Sequence, residues 1–401
     1  MIINILWALA LYSSQIYIFP SGVPQPAHVV MAFIFLLVFF SRGLSIIIDN
    51  STKEILAFFC LFIFYVIVSN LSWSLITQDT EFIGSVVFWL YSFLLFYFFL
   101  SSLLRCKNLI FWLLIASIAG VLSLLVFWFI GLGRYDFYPR YNAFFNDPNQ
   151  MAYWVISIFG LFFCLSKNLN RYLVFVFALL CFVLIFATIS RSALLGMLFC
   201  FAGAVMRAIA YGDYKLGRLN KKLMFLFGFI LTLGSVVLIL NTDISQIAIS
   251  RFSTTDFVEQ AETRGYSRFR EYPEYILFGA GQGLDLRFGS HYEIHSTWLG
   301  ILFYYGIVGL SFFLIFLYKI FSRLDLSEKI VFLGPVVYGF STYGARSPIF
   351  WFFLATAVYA GSKNKIIKGS NSVRNSRYSP QRQARTPEGY RPKALWDPRI
   401  I

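Results

Sequence analysis

The chain has 401 residues, of which 59% are hydrophobic and only 13% are charged, and its formal net charge is +14. A soluble domain cannot hide so much apolar surface from water, and repeated apolar runs of roughly 18–22 residues have the length of membrane-spanning helices. Strands of a transmembrane barrel are shorter and alternate between polar and apolar residues. The composition therefore excludes an ordinary soluble protein and predicts an all-α polytopic membrane protein.

The apolar runs predict about twelve transmembrane helices. In chain order they cover residues 3–19, 27–48, 55–76, 82–104, 109–132, 151–166, 172–189, 193–210, 223–240, 296–320, 330–345 and 348–360. Only a Ser-Arg-Ser sequence interrupts the seventh and eighth runs, and Ala-Arg-Ser-Pro interrupts the last two. Each of these two pairs could instead form one longer, broken helix.

The C-terminal segment 362–401 is polar and strongly basic. Its few apolar residues predict a disordered tail that follows a transmembrane domain over residues 1–361. Because positively charged segments stay in the cytoplasm, this tail sets the orientation of the whole chain. Both termini are then cytoplasmic, and the long polar segment 241–295 is an outer, periplasmic loop of an inner-membrane protein.

With this orientation every lysine falls on the cytoplasmic side, and every cation on the outer side is an arginine. The outer arginines are Arg134, Arg140, Arg191, Arg251, Arg264, Arg268, Arg270, Arg287 and Arg346. The planar guanidinium group binds phosphate or carboxylate with two parallel hydrogen bonds. We therefore expect some of these arginines to bind an anionic substrate, although ion pairs with acidic residues of the same loops explain several of them.

The sequence NAFFNDPNQMA predicts the start of a helix on the outer side. Asp147 is a good N-cap, and Pro148 suits the first helical position. Asn146 and Asn149 then lie around a helix N-terminus, which favours anions, and Arg140 comes just before them. These three residues are candidate substrate-binding residues, and plain helix capping is the alternative interpretation.

Arg191 lies between two strongly apolar runs. A charged residue at the edge of a membrane is a candidate functional residue, unless its side chain simply reaches the interface. Further candidates lie in the outer loop, where Arg264, Arg268 and Arg270 precede the glycine-rich sequence Gly279–Gly283. The amides of this sequence, including that of Gly281, could bind phosphate, or the sequence could form a tight turn that brings the arginines towards His295.

His295 stands just before an apolar helix at the end of the outer loop. Histidine suits general-base catalysis near neutral pH, and Glu293 could orient it or tune its pKa. The alternative is a histidine that only closes the loop. An arginine cluster beside such a base suits a substrate that carries a diphosphate and an acceptor hydroxyl, and a lipid-linked donor is expected because nucleotide sugars are absent outside the cytoplasm.

Neither a metal nor a cofactor is expected at this site. The five cysteines lie in apolar runs or in a short charged loop, without the spacing of a zinc site or a disulfide framework. The histidines and carboxylates also lack ligand spacing.

Several patterns together resemble the O-antigen ligase and O-antigen polymerase superfamily. They are, in order, NAFFNDPNQMA, a Ser-Arg pair between apolar runs, an outer loop with arginines and GAGQG, and EIHSTWLGILFYYGIVGL. The resemblance implies a fold similar to that of other membrane-embedded (GT-C-like) glycosyltransferases and a metal-independent, inverting transfer from undecaprenyl diphosphate. It also implies that Arg191 and a loop arginine, Arg264 before Arg268 or Arg270, act on the diphosphate and that His295 acts on the acceptor.

The resemblance leaves the acceptor open. The EIHST sequence and the compact loop are more similar to polymerases, which join repeat units of O-antigen, capsule or exopolysaccharide, than to ligases, which transfer the glycan to lipid A–core. Many members have Asn where this chain has Ser296. A transporter or flippase of lipid-linked oligosaccharide is the alternative of another class, but the chain lacks an inverted repeat. Expected partners are the lipid-linked glycan, membrane lipid and the chain-length regulator and flippase of the pathway, and no nucleic acid.

Overall fold

A computed structural model describes residues 1–19, 25–42, 50–210, 262–289 and 293–377. These ranges form an all-α structure. Its helices are α1 (Ile2–Ser13), α2 (Pro26–Arg42), α3 (Asn50–Thr77), α4 (Glu81–Arg105), α5 (Leu109–Phe129), α6 (Pro148–Leu165), α7 (Arg171–Thr188), α8 (Arg191–Ala210), α9 (Arg268–Glu271), α10 (Thr297–Phe321), α11 (Leu326–Tyr338) and α12 (Pro348–Arg377). Short 3-10 turns lie at Pro273–Ile276, Asp285–Phe288 and Gly344–Arg346.

Seven helices of the described ranges are long and apolar enough to cross a membrane. They are α3, α4, α5, α6, α7, α8 and α10. The protein is therefore a multi-pass membrane protein. Helices α1 and α2 are apolar but shorter, α11 has only 13 residues, and the expected span 223–240 lies outside the described residues. The count of about twelve spans stays a prediction.

The two ambiguous pairs of apolar runs are separate helices. Helix α7 ends at Thr188, Ile189 adopts a left-handed conformation, and α8 begins at Arg191. Helix α11 ends at Tyr338, ten residues before α12 begins. Helix α12 continues to Arg377, so the segment predicted to be disordered from residue 362 begins as a helix, and residues 378–401 lie outside the described part.

Helices α6 and α12 form the centre of the bundle. Every side chain from Ile349 to Val358 is at least 99% buried, and α6 is buried over most of its length. Aromatic rings fill the space around α12: Trp351 stacks on Phe59 of α3, and Phe352 meets Trp7 of α1 edge to face. Many of the phenylalanines thus pack between helices, where offset and edge-to-face contacts are favourable.

The charged residues divide between two ends of the bundle. Lys53, Lys107, Lys167, Lys319, Lys329 and Lys363 lie at or beside one set of helix ends, which we call the lysine end. Arg134, Arg140, Arg191, Arg264, Arg268, Arg270, Arg287 and Arg346 lie at the other set, the arginine end. Every lysine whose side chain the structure describes belongs to the lysine end. This segregation agrees with the sequence prediction, whereas the side of the membrane that each end faces stays a prediction.

Helix α10 is broken at Gly306, which has φ +63° and ψ −174°. A break frees backbone groups that a membrane protein must satisfy internally. The carbonyls of Phe303 and Tyr304 accept hydrogen bonds of 2.9 and 2.8 Å from the amides of Ala280 and Gly281. The glycine-rich sequence Gly279–Gly283 therefore fills the break in α10.

The same sequence is bound to α3 and α4. Asn70 of α3 accepts a 2.8 Å hydrogen bond from the amide of Gln282, and Trp73 donates to the carbonyl of Gly279. Glu81, the first residue of α4, accepts from the amide of Leu284. These bonds fix the second half of the loop on the helix bundle, and they position the residues on either side of it.

Candidate functional site

A polar cavity of about 950 Å³ opens at the arginine end. Its walls come mainly from the loop before α6 and the start of α6, from the loop that precedes α10, and from the segment between α11 and α12. The lining residues are Tyr17, Glu81, Phe137, Asp147, Asn149, Gln150, Tyr153, Thr263, Arg264, Asp285, Leu286, Glu293, Ile294, His295, Ser341, Thr342, Tyr343, Gly344, Arg346 and Ser347. Four of the ten residues selected from the sequence, Asn149, Arg264, Glu293 and His295, line this cavity.

The N-terminus of α6 forms one wall, as its sequence predicts. The Asp147 side chain caps the helix by accepting a hydrogen bond from the amide of Asn149, with Pro148 as the first helical residue. The Asn149 side chain accepts hydrogen bonds from Arg140 at 2.9 Å and from Ser190 at 3.2 Å. Capping thus explains Asp147, while Arg140 and Asn149 form a polar network beside the cavity.

Arg264 and His295 lie side by side in the cavity lining. The backbone amide of His295 donates to the carbonyl of Arg264 at 3.2 Å, and the Arg264 guanidinium donates to the carbonyl of Ser341 at 3.3 Å. Arg264 makes no ion pair with an acidic side chain of the described residues. Its charge is therefore available to an anion in the cavity.

The other two loop arginines have different surroundings. Arg268 is only 2% exposed and forms a 2.6 Å ion pair with Asp285, beside the hydroxyl of Tyr304. Arg270 is exposed on the short helix α9, away from the cavity lining. This geometry favours Arg264 over Arg268 and Arg270 as the arginine that meets a ligand in the cavity.

Glu293 pairs with Arg346 rather than with His295. Its Oε1 atom accepts a hydrogen bond from Arg346 and lies 3.4 Å from Nε2 of Gln282. Burial raises the pKa of Glu293, and the Arg346 charge opposes this shift. The expectation that Glu293 orients His295 therefore has no support in the hydrogen bonds of the described residues.

Burial lowers the pKa of His295, and the positive charges of Arg264 and Arg346 lower it further. The carboxylate of Asp147 opposes this shift. His295 is nevertheless exposed to the cavity and belongs to no helix, since Ser296 caps α10. A neutral imidazole that faces the cavity can accept a proton.

Gly281 is buried away from the cavity. Its amide donates to Tyr304, and the amides of Gly279, Ala280 and Gln282 also bond within the protein. These four groups are not free to bind a phosphate. The tight-turn alternative for the glycine-rich sequence fits this arrangement.

Arg191 and Asn146 lie beside the cavity rather than in its lining. Arg191 is the first residue of α8 and is half-buried, directly after Ser190, which bonds to Asn149. Asn146 accepts a 3.2 Å hydrogen bond from Arg134 and donates to the carbonyl of Phe19.

Two further cavity residues, Arg346 and Tyr343, come from the segment before α12. The sequence analysis named Arg346 only as one of the outer arginines and did not name Tyr343. Arg346 lies 5.4 Å from the centre of the Tyr343 ring. The polar sequence Ala-Arg-Ser-Pro between the last two apolar runs indicates this position, because it places Arg346 at the same end of the bundle as the other outer arginines. In the described ranges, no group of three or more His, Cys, Asp or Glu side chains is arranged to hold a metal ion.

Comparison with known proteins finds no family model that matches the chain and no curated protein with significant sequence similarity. The fold and the cavity therefore define the class of protein as a multi-pass helical membrane protein with a polar, arginine-bearing site at one end. The resemblance to the O-antigen ligase and polymerase superfamily rests on the sequence patterns alone.

Proposed function

We propose that the protein is a metal-independent inverting glycosyltransferase of the bacterial inner membrane, with about twelve spans and a GT-C-like fold. The observation that carries this proposal is the pairing of Arg264, which lacks an acidic partner among the described residues, with His295 on one wall of an open polar cavity. An anion-binding group beside a group that accepts protons fits transfer from a diphosphate-linked donor.

In this reaction the acceptor hydroxyl attacks the anomeric carbon of the donor sugar. The bond between this carbon and the diphosphate oxygen breaks, and undecaprenyl diphosphate leaves with the electron pair. His295 takes the proton of the hydroxyl, and its lowered pKa keeps it neutral for this step. Arg264 and Arg191 stabilise the charge on the leaving diphosphate, and Arg140, Asn146 and Asn149 bind polar groups of the substrate.

The acceptor that we propose is a second lipid-linked repeat unit, so that the protein is a polymerase of O-antigen, capsule or exopolysaccharide. The EIHST sequence before α10 and the compact loop support this choice over transfer to lipid A–core. The flippase and chain-length regulator of the same pathway would then be its functional partners.

The test is reconstitution of the purified protein with an undecaprenyl-diphosphate-linked repeat unit as the sole substrate. A ladder of longer lipid-linked glycans supports the polymerase. Transfer that begins only after lipid A–core is added identifies a ligase instead. Absence of both products contradicts the transferase proposal, and a flipping assay with the same lipid then tests the transporter.

A further inference from the structure

Arg346 and Glu293 form an ion pair inside the cavity, between the segment before α12 and the segment before α10. Both residues line the cavity, together with Arg264 and His295. The Arg346 side chain is 45% exposed and that of Glu293 is 23% exposed. The pair is therefore accessible from the cavity, and a ligand there can reach it.

This ion pair differs from the neighbouring pair of Arg268 and Asp285. Arg268 is almost fully buried, and Tyr304 also donates a 2.8 Å hydrogen bond to Asp285. Separating that pair would leave buried charges without an ionic partner, so it stabilises the loop. Arg346 is solvated on one side, and an ion pair between partly exposed groups contributes little to stability.

Arg346 is positioned to bind an anion in the cavity together with Arg264. Both guanidinium groups lie near enough to His295 to lower its pKa through their charge. The Tyr343 ring, 5.4 Å from the Arg346 guanidinium, supports this side chain independently of Glu293. Arg346 can therefore stay in the cavity when its anionic partner changes.

We propose that Arg346 is a further diphosphate-binding residue and that Glu293 occupies it as a competing intramolecular anion until the donor binds. This inference rests on the proposed function. A diphosphate diester carries two negative charges and several acceptor oxygens, so it binds a guanidinium group more strongly than one carboxylate does. Glu293 then weakens the affinity for the donor and favours release of the lipid diphosphate after transfer.

The experiment measures binding of undecaprenyl diphosphate to the full-length protein in detergent, with undecaprenol as the uncharged comparison. Glu293→Gln frees Arg346 and should tighten binding about 2- to 5-fold. This change in affinity corresponds to the free energy that a partly exposed ion pair contributes. Arg346→Gln should weaken binding about 10-fold or more, as expected for the loss of a charge-assisted hydrogen bond. In the Arg346→Gln background, Glu293→Gln should have no further effect.

The matched control is the ion pair of Lys319 and Glu54 at the lysine end, which is also partly exposed and has a distance of 3.1 Å. Glu54→Gln and Lys319→Gln should leave the affinity unchanged. If Glu293→Gln leaves the affinity unchanged or weakens it, the pair is only a structural contact and the inference is wrong. Thermal unfolding of each variant separates loss of binding from loss of folding.

The outcomes also separate this inference from the proposed function. If Arg264→Gln abolishes binding while Arg346→Gln leaves it intact, the donor site stands and the role of Arg346 is overturned. If the wild-type protein binds undecaprenyl diphosphate no better than undecaprenol, both proposals are overturned.

Discussion

Charged residues are buried and paired at one end of the bundle, whereas at the other end they surround an open cavity. At the lysine end, Glu328 is completely buried and lies 2.9 Å from Lys167 and 3.7 Å from Arg207. Asn364 donates a further 2.9 Å hydrogen bond to Glu328, and Arg207 donates to the carbonyl of Phe163. This cluster connects α6, α8, α11 and α12.

At the arginine end, the charges surround an open cavity instead. Arg264 has no acidic partner among the described residues. Arg346 pairs with Glu293, and this ion pair is partly exposed to solvent. The comparison teaches that burial and pairing, rather than the presence of charge in a membrane protein, separate a structural contact from a candidate site. Each of the following predictions tests one side of this comparison.

The largest effect is expected at the arginine end. We expect His295→Ala to lower the transfer rate about 10²- to 10⁴-fold, because the acceptor hydroxyl loses its general base. The helix bundle should remain intact, since the side chain faces the cavity. The measurement is the rate of product formation in the reconstituted assay, and full turnover by the variant would contradict the assignment of the base.

At the lysine end, we expect Glu328→Ala to destabilise the protein by about 3–5 kcal/mol, because Arg207 and Lys167 lose their buried partner. The measurement is denaturant-induced unfolding in detergent. Glu54→Ala is the control, because the exposed pair of Glu54 and Lys319 contributes at most about 1 kcal/mol. Equal effects of the two variants would remove the distinction between buried and exposed pairs.

A substitution in the glycine-rich sequence should have a smaller effect on stability. Gly279 has φ +89°, and a Cβ atom there would overlap the carbonyl of Tyr304 in the break of α10. We expect Gly279→Ala to cost about 2 kcal/mol or more, which combines left-handed strain with this overlap. Gly289→Ala is the control, since φ is +70° there but no atom lies within 4 Å of the added methyl group. A larger loss of stability at Gly289 would contradict the docking of the loop into α10.

The smallest effect is expected in the pH profile. Because the pKa of His295 is lowered, its imidazole stays neutral at pH values below the ordinary pKa of histidine. An ordinary histidine, with a pKa of about 6.5, would lose about threefold of its neutral form between pH 7 and pH 6. The activity of this protein should therefore fall by less than that over the same pH range. Initial rates in the reconstituted assay measure this drop. Asp147→Asn should extend activity to still lower pH, because Asp147 is the group that raises this pKa.

Local patterns in the sequence predicted much of this architecture. Long apolar runs identified the seven helices that are long and apolar enough to cross a membrane, and Asp147 followed by Pro148 identified the start of α6. The lysines lie at one set of helix ends, and the cations of the other set are arginines, as expected. These features depend on neighbouring residues alone, so a single sequence carries them.

Features that depend on tertiary contacts escaped the sequence. Arg264, Arg268 and Arg270 are close neighbours in the chain, yet one lines the cavity, one is buried beside Asp285 and one is exposed. The ion pair of Arg346 and Glu293 joins residues 53 positions apart. Likewise, the apolar residues around Gly306 predict a continuous helix, because the groups that fill the break come from the distant glycine-rich sequence.

The break in α10 has a consequence for how the protein is made. The free carbonyls of Phe303 and Tyr304 cannot enter lipid without hydrogen-bond donors, and these donors come from Ala280 and Gly281. Helices α3 and α4 are synthesised earlier, and Asn70 and Glu81 provide the surface on which the glycine-rich sequence docks. We therefore expect α10 to reach its final shape only after the glycine-rich sequence has docked on α3 and α4.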